Sequence, residues 1–332
     1  MEIGITMLGT TGTGKTCYLY AMADRMTTGV NNLTFSPSDY EVGLDLDDQW
    51  GKICDGVWPG PSNITEEYKF ICAYSMRPII DFRWYDYKGG LLNQVGDEID
   101  KVERPKVLEK MNNSEGLIVC VSAEHLKGLL QGNSSASRPF KAYSRLLFEF
   151  RRKNGHTIPV MFAVTKADLI SNEEFGKGVE LLKSSVFAPL FAEDGDWFIG
   201  FVPVSLGRNF KTDGNRIVGG CINPWNIEVP VLFCIKACLD IRVQEFEDLI
   251  EEFRADKGNY GARLARELEK SGWDKFWNGD DNDIYKMKIE EIDEKMQKII
   301  PDFERLRRDV DNIGRTIIDS GAKVYLNGCE LG

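Results

Sequence analysis

The sequence predicts an α/β fold: a three-layer sandwich around a mostly parallel sheet, followed by a C-terminal α-helical hairpin. Three observations predict it. Near-continuous apolar runs alternate with helical patterns between about residues 116 and 246, as expected of strands buried on both faces and joined by crossover helices. The chain opens as strand, glycine-threonine loop and helix, the start of an α/β unit. The last ~90 residues lose almost all strand signal and gain dense charge along an apolar seam.

In chain order, Glu2 to Leu8 (EIGITML) reads as a strand, Gly9 to Gly14 as a loop, and Lys15 to about Met26 as a helix. Residues 27–65 hold Gly, Pro, Asn, Asp and two tryptophans, with a short helix near Leu44 to Cys54. Glu66 to Ala73 and Pro78 to Asp86 read as an antiparallel hairpin turning at Ser75 to Arg77. A polar helix follows from about Asp97 to Met111. The strands Gly116 to Ser122, Ile158 to Thr165 and Trp197 to Ser205 then alternate with helices near 137–152, 172–191 and 229–246.

Beyond that point Ile289, Ile292, Met296, Ile299, Phe303, Leu306, Val310, Ile313 and Ile317 step by three and four, four heptads of seam. Phe246, Leu249, Ile250, Phe253, Tyr260, Leu264 and Leu268 form a looser stripe before it. Two long helices folded back on each other account for both. Pro301 lies inside the second seam, where it should kink or break the helix. A short strand, AKVYL, comes near the end.

Composition narrows the function. Of 332 residues, 42% are apolar, enough for a sizeable core. The net charge of −11 argues against nucleic acid as the partner, since phosphate backbones need a basic face. Eight cysteines occur without a CxxC pair, several of them inside apolar runs, which reads as reduced thiols and a cytoplasmic chain. No run approaches the ~20 apolar residues of a transmembrane segment. Two histidines leave little for a zinc site or a histidine-based triad.

Three short motifs carry chemistry. Gly9 to Thr16 (GTTGTGKT) fits GxxxxGK(S/T) between a strand and a helix. There Gly12, Thr13, Gly14 and Cys17 would offer backbone N–H groups to phosphates, Lys15 would reach the β- and γ-phosphates, and Thr16 would ligate Mg2+. Asp86-Tyr-Lys-Gly89 follows a strand: the carboxylate can hold the Mg2+ water shell, and Gly89 can offer its N–H to a γ-phosphate. Thr165-Lys-Ala-Asp168 follows another strand. The Asp168 carboxylate can accept both N1–H and N2–H of guanine, a donor pair adenine lacks, while the Lys166 stem lies along the base. Asp168 could instead cap the next helix. Ser205 and Leu206, after the next strand, could present backbone N–H groups to guanine O6.

In this order the motifs resemble those of Ras-like GTPases of the translation-factor-related (TRAFAC) class. The resemblance covers about residues 1–245, leaving 246–332 as a helical hairpin extension. It implies a six-stranded sheet in the order 2-3-1-4-5-6 with strand 2 antiparallel, two switch segments, and GTP/GDP and Mg2+ as cofactors. It further implies a switch I threonine on the metal, for which Thr65 is the choice because it immediately precedes the second strand. Residues 27–65 then form an insertion in switch I. The Gly-Val-Trp-Pro run before Thr65 is similar to bacterial GTPases of conflict and signalling systems.

The sequence departs from that pattern in two places. Gly90 stands where a catalytic glutamine often follows DxxG, and Thr11 replaces a loop glycine. Hydrolysis is therefore expected to be slow, or to use Gln94, Lys88 or a partner's arginine. Two readings stay open: a Mg2+-dependent switch GTPase with Lys15, Thr65 and Gly89 in catalytic roles, meeting protein partners through its switches or its hairpin, and a non-hydrolysing nucleotide-binding scaffold. An ATPase of the same loop class is disfavoured, because Asp168 would repel the N1 lone pair of adenine.

Overall fold

The computed structural model describes residues 2–60, 66–86, 98–269 and 282–331, with residues 98–104 and Glu267 as backbone only. Two compact units result: residues 1–237 with 313–332, and residues 238–312.

The first unit is built on a sheet that has nine strands among the described residues. Its strands are β1 (Glu2–Gly9), β2 (Leu33–Pro37), β3 (Glu66–Tyr74), β4 (Arg77–Asp86), β5 (Gly116–Ser122), β6 (Val160–Thr165), β7 (Phe198–Pro203), β10 (Lys323–Leu326) and β11 (Cys329–Leu331). Their order is β11-β10-β7-β6-β5-β1-β4-β3-β2. The central five strands are mutually parallel, and antiparallel strands flank them on both sides. The six strands expected from the sequence occur in the expected order. The expectation of six is corrected to nine, because β2 adds beyond β3 and the C-terminal pair β10–β11 adds beyond β7.

Helices α1 (Lys15–Thr28), α2 (Tyr40–Cys54), α3 (Glu98–Asn112), α4 (Ala123–Leu130), α5 (Arg138–Asn154) and α6 (Asn172–Ser184) connect these strands. Strand β5 is buried throughout, so alternate residues pack on opposite layers. Leu117, Val119 and Val121 join Val160, Phe162, Ile199 and Phe201 in one apolar cluster with Val107 of α3, Leu126 of α4, Phe140 of α5 and Val179 of α6. On the other face residues 229–237, the start of helix α7 (Val229–Glu269), lie against the sheet. There Phe233 stacks on Phe198 at 4.5 Å, and Cys234 sits so close to Gly116 that a Cβ would clash at 2.7 Å. These are the three layers.

Two stretches differ from the sequence expectations. In the 27–65 region β2 is a strand, paired with β3, and α2 starts at Tyr40 rather than near Leu44 because Asp39 caps it, accepting from the amides of Glu41 and Val42. Residues 205–225 form an antiparallel hairpin of their own, β8 (Ser205–Asp213) with β9 (Arg216–Trp225). A Gly214-Asn215 turn joins the two strands, with Gly214 at φ 61°.

The second unit consists of the remainder of α7 and most of α8 (Asn282–Asp319). Glu247 meets Arg307, Lys257 meets Asp293 and Tyr260 meets Tyr285, so the two helices run antiparallel. Ile292 and Val310 of the seam are buried, while Ile289, Met296, Ile299, Phe303 and Leu306 are half-buried. α8 continues through Pro301 without a break. Pro301 is exposed, so water can satisfy the carbonyl its missing N–H leaves unpaired. Among the described residues, no helix is long and apolar enough to cross a membrane.

Candidate functional site

The site lies at the C-terminal ends of the parallel strands, where β1, β4, β5 and β6 deliver their last residues to loops. The loop between β1 and α1 turns at Gly14, which takes φ 79° as the residue before the helix. Among the described residues no side chain caps α1, and the residues bearing the orphan amides of its first turn line the cavity described below. Gly9 is crowded: a Cβ there would meet Thr13 Oγ1 at 2.7 Å and the Cys120 carbonyl at 3.0 Å.

Hydrogen bonds fix this loop from three sides. The Thr13 hydroxyl donates to the Thr10 carbonyl at 2.8 Å. Tyr143, from α5, accepts from the Thr10 amide at 3.1 Å. Lys15 is buried, and its ammonium donates to the Gly9 carbonyl at 3.1 Å, curled back over the loop.

Asp86 ends β4 beside this loop, 2% exposed, with Oδ1 lacking a hydrogen-bond partner among the described residues. Burial pushes its pKa up to about 6; Lys15 and a hydrogen bond from Thr16 pull the other way, and nearby Glu66 raises it further. Glu66 is the register partner of Asp86 across β3–β4, and it accepts a short hydrogen bond from Tyr68. A buried carboxylate with an orphaned oxygen next to a threonine hydroxyl fits a hard divalent cation, which takes oxygen ligands. The structure brings Thr16 and Asp86 into contact. Thr65 and Gly89, with Lys88, Gly90 and Gln94, lie outside the described residues.

The second half of the site comes from β6 and β7. The Thr165 hydroxyl donates to the Thr13 carbonyl at 2.7 Å and lies 3.1 Å from that of Val121. Lys166 adopts the left-handed conformation at φ 55°, rare for a residue with a side chain. Its ammonium pairs with Glu124 at 2.8 Å, which lowers the Glu124 pKa. Asp168 receives a hydrogen bond at 2.7 Å from the Ser205 hydroxyl, and the Ala167 amide donates to the Val204 carbonyl at 3.1 Å. The alternative in which Asp168 caps the following helix is not what forms: Ser171 caps α6, in a capping box with Glu174.

Both halves open into one cavity of about 650 Å³. The expected residues Gly12, Thr13, Gly14, Lys15, Thr16, Cys17, Lys166, Asp168, Ser205 and Leu206 all line it, as does Thr11. Burial pushes the Cys17 thiol up to about 12, so it stays protonated. Sequence reasoning missed Glu124 and the wall formed by Trp58, Asn209, Phe210 and Thr212. The Gly-Asn dipeptide at 214–215 between strand-like runs is the signal that would have exposed the hairpin. A single glutamate after a strand carries no such signal.

No protein-family profile matches the chain, and no curated protein does. Solved structures with similarity include the elongation factor SelB from Methanococcus maripaludis in complex with the GTP analogue GppNHp, 14% identical at a TM-score of 0.31 over 61% of this chain and 29% of that one. A bacterial dynamin pair described as sensing and tethering membranes is 17% identical at a TM-score of 0.36, over 96% of this chain and 62% of that one. The septin GTPase domain from Chlamydomonas reinhardtii is 13% identical at 0.27, over 57% of this chain and 60% of that one. The chain thus spans between 29% and 62% of the length of these proteins. The functional reading rests on the chain's own residues.

Proposed function

We propose that this chain binds a guanine nucleotide with Mg2+ and hydrolyses GTP slowly without a partner, as a Ras-like switch protein of the translation-factor-related class acting in the cytoplasm. The observation that carries this reading is that Asp168, Lys166 and Ser205 line the same cavity as Gly12 to Cys17, and that Thr165 is bonded to the loop carrying them. A nucleotide's two ends need that pairing: amide donors and an ammonium for phosphates, and a carboxylate for the paired N–H donors of guanine.

Asp86 and Thr16, with Thr65, are the residues that would hold the metal. Bound there, Mg2+ would neutralise charge on the β- and γ-phosphates. Lys15, now bonded to the Gly9 carbonyl, would exchange that weak partner for a phosphate oxygen. Residues 27–65 and the DxxG segment ending at Gly89 are the switch segments in this account, and the helical extension from about residue 246 is the arm that meets a protein partner. Gly90 favours a second reading, a scaffold that binds GTP or GDP without turning it over.

Calorimetry with Mg2+ and GDP, GTP or ATP tests the proposal. Selective binding of guanine nucleotides, lost in Asp168→Ala, supports it. Equal binding of ATP, or indifference to Asp168→Ala, refutes the base assignment. Single-turnover hydrolysis of bound GTP then separates the switch from the scaffold.

A further inference from the structure

The wall formed by Trp58 and Phe210 has no part in the chemistry above. Phe210 sits on β8, five positions beyond Ser205, which bonds Asp168. Trp58 sits beyond α2, on the chain leading toward Thr65. Their rings meet edge to face, 5.3 Å apart at 75°, a favourable arrangement for aromatic quadrupoles. Both rings line the nucleotide cavity.

The backbone holds the two segments together. The Ile217 amide donates to the Gly56 carbonyl at 2.7 Å, and the Trp58 amide donates to the Asn215 carbonyl at 2.8 Å. Val57 and Arg216 form an isolated antiparallel bridge between those bonds. Residues 56–58 are thus a short third strand on the edge of the β8–β9 hairpin.

From this we infer that Trp58 and Phe210 are nucleoside-binding residues, an aromatic clamp that contacts the base or sugar, and that nucleotide release requires residues 56–58 to peel from the hairpin. The inference rests on the cavity being a nucleotide site. An aromatic face stacks on any base, so the clamp adds residence time without choosing among bases. Asp168 makes the choice; the clamp sets the rate.

The test is the dissociation rate of fluorescent mant-GDP, chased with excess GDP, for the full chain and for Trp58→Ala, Phe210→Ala and Trp58→Phe. Release about tenfold faster in both alanine variants and near wild type in Trp58→Phe supports the clamp, in line with one lost ring contact. The affinities for GDP and inosine diphosphate should fall by the same factor. Unchanged release in folded Trp58→Ala and Phe210→Ala overturns the clamp while leaving the nucleotide site standing. Failure of the wild type to bind mant-GDP overturns both. Where the alanine variants fail to fold, Trp58→Phe decides by energy transfer: tryptophan-excited mant emission drops if Trp58 lies against the nucleoside, and an unchanged signal rejects the contact.

Discussion

The hydroxyl of Thr165 donates a 2.7 Å hydrogen bond to the carbonyl of Thr13. These residues are 152 positions apart, and the bond ties the strand end that presents Lys166 and Asp168 to the loop that presents Lys15. Both are buried, so water cannot substitute. The distance between the two halves of the site is fixed before any ligand arrives.

Thr165→Val keeps the shape and removes this bond. A buried carbonyl loses its partner, at a cost of about 1–2 kcal/mol, which corresponds to a melting temperature lower by roughly 2–8 °C. GDP affinity should fall about five- to tenfold as the halves lose register. A thermal melt and a titration check both. Full retention of affinity would show that the halves are positioned independently.

Asp86 gives a prediction with a pH signature. Its pKa in the folded chain is about 6, raised from 3.8 by burial. Below about pH 4 the group is protonated both folded and unfolded, so it has no effect on stability. Between about pH 4 and 6 the folded chain keeps a proton that the unfolded chain has lost, so stability falls as pH rises. Above about pH 6 the full penalty is present, on the order of 2–3 kcal/mol. Asp86→Asn should therefore stabilise the metal-free protein at pH 7.5, with a gain that shrinks toward pH 4, and should abolish the effect of Mg2+ on nucleotide affinity. Urea melts across that range read the first part. A stability gain independent of pH would contradict the assignment.

Ser205 supplies the hydrogen bond that orients Asp168 and also lies 2.8 Å from the Gly207 carbonyl. In Ser205→Ala the carboxylate is free to rotate, and GDP should bind about five- to twentyfold more weakly. The same variant should leave binding of inorganic pyrophosphate unchanged, because that ligand touches only the Gly9 to Thr16 loop. Competition titrations with both ligands measure the difference.

Much of this architecture was legible in the sequence, for physical reasons that differ by element. β1, β5, β6 and β7 are buried on both faces, so apolar runs such as GLIVCVS declare themselves. The Gly9 to Gly14 loop is legible because few residue types tolerate its backbone, Gly14 above all. β2 was hidden because LTFSP is short and only half covered, with Pro37 at its end. The β8–β9 hairpin was hidden because RNFKTD and RIVGGC are largely exposed and carry little apolar signal. Its role as a cavity wall depends on contacts with residues 56–58, about 160 positions away, which no local pattern encodes. The C-terminal return of β10 beside β7 is likewise a long-range pairing, though the run AKVYL marked the strand itself.

Whether Asp168 reads guanine is decided by its exchange for asparagine. Asparagine keeps the size, accepts from N1–H through its carbonyl, and replaces an acceptor with an N–H donor. Xanthine carries a carbonyl where guanine carries the N2 amino group. In Asp168→Asn, calorimetry with Mg2+ should therefore show GDP weakened by at least about a hundredfold and xanthosine diphosphate strengthened to exceed it, a reversal worth roughly 3 kcal/mol or more. Unchanged GDP binding with no gain for xanthosine diphosphate would mean that Asp168 does not touch the base, and the guanine reading would fall.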